Sequence, residues 1–149
     1  MKPVDQSIVC AKNGDCTRAC IASILELELD AVPNFIRFGG LYMRVMWAFL
    51  SSLGYKYYGT GYPIGEKYPK GHKLEESDNI GGFVMASVPS SLFPNCGHSV
   101  VMDLKGVIVH DPNPNKYWQG KNVLESGELQ HWTMIGRDDK LLDRPQAIC

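Results

Sequence analysis

The chain has 149 residues, 44% hydrophobic and 21% charged, with a formal net charge of -1, values that suit one globular domain with a real core. Charge this close to balance excludes a basic field for nucleic acid or an anionic membrane surface. No apolar run reaches the roughly 18 residues of a membrane span, and residues 1–6 lack a signal peptide's apolar region, so a soluble cytoplasmic protein is expected.

The first predicted helix covers residues 15–27. Asn13 and Gly14 are loop residues, Asp15 is a good cap, and Cys16, Ala19, Cys20, Ile24 and Leu27 recur at helical spacing. Cys16 then lies in the first turn, where unpaired N–H groups and the positive end of the helix dipole favour a thiolate. A thiolate is the nucleophile, so this is a place where a cysteine can do chemistry. Residues 29–35 read as a cap and a short helical turn with Pro33 near its start. A second helix is predicted over 41–53, with Leu41, Val45, Ala48, Phe49 and Ser52 facing the core, Leu53 adjoining, and Gly54 as its stop.

Residues 55–58 form a short predicted strand. Residues 59–79 carry Gly, Pro, Lys and Glu without periodicity and read as a long loop or insertion. Its basic group from Lys67 to Lys73 is diluted by Glu66, Glu75 and Glu76, as on a solvated surface. Further strands are predicted over 83–88, 99–104, 107–110 and 132–135. There is no internal repeat and no low-complexity tract. Helices first and sheet afterwards imply one α+β domain over residues 1–149.

The strands at 99–104 and 107–110 flank a Lys-Gly turn and form a predicted hairpin. His98 opens it and Asp111 closes it. In an antiparallel pair the start of one strand lies beside the end of the next, so these side chains can meet although 13 positions separate them. An imidazole held by a carboxylate is the partner that a cysteine nucleophile needs. His110 is the competing imidazole, but strand alternation points it away if Asp111 faces the site. Asn113 is the alternative orienting residue, since papain uses an Asn, although the Asp-Pro context favours Asp111. His72 and His131 have no comparable setting. Tyr117 and Trp118 fit either the wall of a site or ordinary core.

Five cysteines is an odd number, and without an export signal reduced thiols are the simpler reading. Cys20 reads as core packing, Cys10 and Cys96 as loop residues, and Cys149 as exposed. Convergence of Cys10, Cys16, Cys20, Cys96 and His98 on zinc lacks the tight Cys-x-x-Cys spacing of structural sites. No metal or cofactor is expected.

The order Cys16, His98, Asp111, with the Cys opening a helix and the others on neighbouring strands, resembles the papain-like cysteine peptidase superfamily. The Gly14-Asp15-Cys16-x-x-Ala19-Cys20 start and the Gly97-His98-x-Val100-Val101 … Asp111-Pro112 ending are most similar to its bacteriocin-processing, double-glycine peptidase branch. The segment from Gly14 to Leu27, with Val32-Pro33-Asn34-Phe35 after it, resembles small phage and bacterial proteins of that type. The resemblance implies a papain-like fold, with a helix carrying Cys16 packed on an antiparallel sheet carrying His98 and Asp111. It also implies a Gln upstream of the Cys that binds the oxyanion. Gln6 is the favoured candidate and Asn13 the alternative, with the Cys16 backbone N–H as second donor. The implied activity is a cysteine-dependent hydrolase acting on a peptide or protein through a thioester. An acyl transferase or deamidase on the same chemistry, and a phage-type binding or inhibitor protein on the same scaffold, are the alternatives. No transporter domain accompanies these motifs, so export-coupled leader cleavage is not expected.

Overall fold

In a computed structural model that describes residues 1–61 and 80–137, helix α1 spans Cys16–Leu25. Ala19, Cys20, Ile21, Ala22, Ser23 and Ile24 are all buried, so the helix is enclosed on most sides rather than along one stripe. Its small side chains let other elements approach closely, and it packs on the middle of the sheet. The chain leaves α1 through Glu26, which adopts the left-handed conformation at φ 58°, ending the helix two residues before the predicted limit at Leu27.

Asp15 occupies the N-cap position, as predicted, but its side chain makes no cap hydrogen bond. Its buried carboxylate instead accepts Ser7 Oγ at 2.7 Å and the Ile8 N–H at 2.8 Å. An acid was legible there; that it would hold the incoming chain was not.

Two 3₁₀ turns follow, Leu29–Ala31 and Phe35–Leu41, so Pro33 lies between turns instead of opening one. Helix α2 spans Tyr42–Ser52. Its core face is Met46 and Leu50, with Tyr42, Met43, Val45 and Phe49 partly buried beside them, while Leu41, Ala48, Ser52 and Leu53 are exposed. The predicted stripe is therefore rotated by about one residue. The run is apolar enough around its circumference that only packing selects the buried side. Gly54 ends the helix at φ 78°, as expected.

Five antiparallel strands form one sheet in the order β1-β5-β2-β3-β4: β1 Tyr55–Gly61, β2 Phe83–Pro89, β3 Gly97–Asp103, β4 Ile108–His110 and β5 His131–Arg137. The protein is thus mixed α+β. Every predicted strand is present, and β1 runs on through residues 59–61, into the segment expected to be loop. The rest of that loop, His72 and Cys149 lie outside the described residues.

The sheet is covered on both faces. Helices α1 and α2 lie on one side with Met85, Val101 and Ile135. On the other side Val84, Val88, Val100 and Met102 pack against Trp118, Leu124 and Leu129, which come from the connection between β4 and β5. That connection holds the short helix α3 (Val123–Ser126), absent from the prediction; Asn122 caps it by accepting the Leu124 and Glu125 N–H groups at 3.1 Å. Asn followed by Glu three residues later was its available signal. Among the described residues no helix is long and apolar enough to cross a membrane.

Candidate active site

The β3–β4 hairpin closes through Asp103, whose Oδ1 accepts the Lys105 and Val107 N–H groups at 2.9 Å each, and Gly106 supplies the left-handed residue at φ 89°. The register then shifts. Met102 pairs with Ile108, but Val101 pairs with His110, leaving Val109 as the extra residue of a β-bulge. This one residue decides the site. Continued without a bulge, the pairing would place Asp111 opposite Ser99, on the face away from His98. With it, Asp111, the residue after His110, emerges on the face that His98 shares. His98 Nε2 and Asp111 Oδ1 lie 2.8 Å apart. Val109 and His110 both turn to the helix side, where His110 Nε2 meets the Val4 carbonyl at 2.8 Å.

Asp111 is fully buried, and its oxygens are further engaged. Oδ1 also accepts the Asn113 N–H, and Oδ2 accepts the Trp118 N–H, both at 2.9 Å. Asn113, the alternative orienting residue, thus serves the carboxylate rather than the ring. Trp118 packs in the core and Tyr117 is exposed, so neither walls the cleft.

Cys16 approaches from α1. Strand β4 pairs no further along β3 than Val101, so among the described residues the Ser99 N–H has no strand neighbour on that side, and it donates to Cys16 Sγ at 3.5 Å. Next to it, Thr17 Oγ1 and Ser99 Oγ lie 2.8 Å apart, and Tyr42 donates to Thr17 at 3.3 Å. These partners joining α1 to β3 went unnoticed in the sequence; the only signal for Ser99 was its place after His98. With His98 Nε2 taken by Asp111, Nδ1 is the ring atom left for the sulfur.

The three groups set one another's charge. Burial pushes the Cys16 thiol up, but hydrogen bonding and charge from His98, with the Ser99 N–H, outweigh it, and the thiol titrates below its usual 9.0. Burial disfavours a charged His98, but Asp111 and Cys16 prevail and raise the ring from 6.5 to about 9. Burial also acts against ionised Asp111, yet His98 and the Trp118 and Asn113 N–H groups hold it below 3.8. The arrangement favours a thiolate beside an imidazolium more than either group would alone. Cys20 is fully buried, and burial, with the neighbouring negative charges, raises it well above 9.0, which fits its reading as core.

Gln6 reaches the same cleft, of about 50 Å³, which Cys16, His98 and Asn113 also line. Its backbone N–H donates to the Pro112 carbonyl at 3.0 Å, and its Nε2 donates to the Ile8 carbonyl at 3.0 Å. The amide carries a second N–H, and its buried Oε1 meets no hydrogen-bond partner among the described residues. Asn13 is not among the residues lining this cleft. The chain between them folds tightly, with the Gly14 N–H on the Cys10 carbonyl at 2.9 Å and the Asp15 N–H on Ile8 at 3.2 Å. A Cβ at Gly14 would stand 2.5 Å from the Cys10 oxygen, so any other residue must displace the loop. Cys10 and Cys96 also line the cleft, where the Lys12 and Asn13 N–H groups lower the exposed Cys10 thiol. Among the described residues no group of three His, Cys, Asp or Glu side chains is placed to hold a metal ion.

Searches of family models, curated proteins and solved structures find no match to the chain. The class that fold and site define is therefore a mixed α+β protein with a buried Asp–His pair facing a helix-start cysteine.

Proposed function

We propose that this protein is a cysteine-dependent acyl hydrolase of papain-like type, a peptidase, isopeptidase or amidase. The observation that carries the reading is the His98–Asp111 pair at 2.8 Å with the Cys16 thiol lowered beside it. Such a pairing is the general signature of an activated thiol.

The Cys16 thiolate attacks the acyl carbon, and the carbonyl π electrons move to oxygen. The Gln6 amide N–H and the Cys16 backbone N–H, which has no carbonyl one turn earlier to bond, stabilise that oxyanion. His98 gives its proton to the departing amine as the C–N bond breaks, leaving a thioester. The neutral ring then takes a proton from water, hydroxide adds to the thioester, and the acid leaves as the thiolate re-forms. Asp111 keeps the ring oriented and stabilises its charged form.

Iodoacetamide with mass-spectrometric mapping tests the nucleophile. Cys16 is expected to react much faster than Cys20, and His98→Ala to slow Cys16 while leaving Cys10 unchanged as internal reference. Equal labelling of all thiols, or no effect of His98→Ala, refutes the proposal. Gln6→Ala should leave alkylation intact yet slow acylation by p-nitrophenyl acetate about 100-fold, the usual loss for one oxyanion donor. Unchanged acylation removes Gln6 from the mechanism.

A further inference from the structure

His110 is a second buried imidazole, and the chemistry at Cys16 leaves it unused. We infer that His110 and Lys116 are positioning residues, which clamp residues 4–6 against the end of β4 and so hold the Gln6 amide beside Cys16. The inference rests on the proposed thiol chemistry, with Gln6 as the oxyanion donor.

Three consecutive residues of the incoming chain are each bonded to the stretch that ends β4 and follows it. The Val4 carbonyl lies 2.8 Å from His110 Nε2. A carbonyl only accepts, so that ring nitrogen carries the proton and donates. The Asp5 carboxylate takes the Lys116 ammonium, which also donates to the Asp111 carbonyl at 2.8 Å. Asp5 Oδ1 stands 3.7 Å from His110 Nε2 as well, so both side chains close on the same short segment. The Gln6 N–H donates to the Pro112 carbonyl at 3.0 Å. That last bond joins two backbones and asks little of the sequence, whereas the other two need these side chains.

The register slip at Val109 makes the first clamp possible. Continued without the bulge, the pairing would set His110 opposite Val100, whose side chain packs on the face away from α1. The one extra residue therefore sends Asp111 toward His98 and His110 toward Val4 together. Lys116 has left-handed backbone at φ 50°, a conformation that glycine or asparagine takes more readily. The turn itself has no need of a lysine; the bonds to Asp5 and Asp111 are what it adds.

Beyond Gln6 the chain is tied to the start of α1. Ser7 Oγ and the Ile8 N–H donate to Asp15, next to Cys16, and Gln6 Nε2 donates to the Ile8 carbonyl. Gln6 thus hangs between two mounts, one beside the sulfur and one on the strand end that carries Asp111. Held at one end only, its amide would move with the segment. An oxyanion donor acts by standing in place before charge develops, and a displacement of about 1 Å can cost roughly 100-fold.

Two reactions of Cys16 separate this role from a structural one. Acylation by p-nitrophenyl acetate forms the S–C bond and expels p-nitrophenolate through an oxyanion. Alkylation by iodoacetamide forms an S–C bond at a CH₂ carbon as iodide leaves, with no oxyanion on the way. His110→Leu should slow acylation about tenfold, inside the roughly 100-fold that loss of the donor itself costs, and leave the alkylation rate of Cys16 as it is. His110→Gln, which supplies an amide N–H in place of the ring N–H, should keep most of the acylation rate. Lys116→Met, on the more exposed clamp, should slow acylation about threefold with alkylation again unchanged, and it carries the test if His110→Leu fails to fold. In a Gln6→Ala background neither substitution should cost anything more. Unchanged acylation in the clamp variants, equal slowing of both reactions, equal loss in His110→Gln and His110→Leu, or a further loss without Gln6 overturns the inference. So does unchanged acylation in Gln6→Ala alone, while selective alkylation of Cys16 keeps the hydrolase reading. Loss of that selectivity in the unmodified protein overturns both.

Discussion

Replacing Asp111 by Asn keeps the shape of the side chain and removes its charge. The carboxylate accepts from the His98 ring and the Asn113 N–H at one oxygen and from the Trp118 N–H at the other. An amide offers one oxygen and one NH₂, so a buried N–H meets a donor in either orientation, a loss of about 1–3 kcal/mol. The larger effect is on His98. Its rise from 6.5 to about 9 corresponds to about 3 kcal/mol favouring the charged ring, at roughly 1.4 kcal/mol per pKa unit. The bond to Asp111 is the first of the causes raising it. In Asp111→Asn, burial is opposed mainly by Cys16. The ring should lose its proton at least one unit lower, the thiolate should weaken with it, and alkylation of Cys16 at pH 7 should slow about tenfold.

Stability gives an independent reading of the same pair. His98 has a raised pKa, so its contribution is complete below pH 6.5 and is lost as pH rises through about 9. Cys16 has a lowered pKa, so its contribution is present above pH 9.0 and is lost as pH falls through its folded value. The two slopes oppose each other in the intact protein. In a Cys16→Ser background only His98 remains, and urea unfolding should show stability falling as pH rises above 6.5. Adding Asp111→Asn should flatten that fall. Identical alkylation profiles and identical stability slopes with and without the carboxylate would refute this account of the site.

Deleting Val109 should remove the bulge and turn Asp111 to the opposite face of the sheet. The His98 ring, followed by NMR titration, should then lose its elevated pKa; a ring still titrating near 9 would mean that register does not set the pairing. Gly14→Ala places a Cβ against the Cys10 carbonyl, and such overpacking costs about 1–3 kcal/mol. A lowered urea midpoint and slower Cys16 alkylation are expected, and an unchanged midpoint would show that the loop yields freely.

Much of this protein could be read from local pattern. A loop-to-helix change at Gly14-Asp15-Cys16, a turn chemistry at Lys105-Gly106 and β-rich runs around it are short-range signals. They located α1 and all five strands, and they marked out Cys16, His98 and Asp111. Alternation also separated His110 from Asp111, because it acts between neighbours. Where several packings satisfied the same pattern, the residues alone left the choice open. The apolar circumference of α2 did not say which side would be buried, and the acid at Asp15 did not say which donors it would take.

The order of residues set the chemistry available here: a cysteine at a helix start, an imidazole and a carboxylate at the two ends of a hairpin, and amide donors upstream. That these groups face one another came only with the assembled sheet. A bulge of one residue at Val109 sets the side on which Asp111 emerges, and strand parity inverts with every single-residue slip. The early end of β4, which leaves the Ser99 N–H to the sulfur, and the hold of His110 on the Val4 carbonyl likewise arise from contacts between residues far apart in the chain, which no local pattern records.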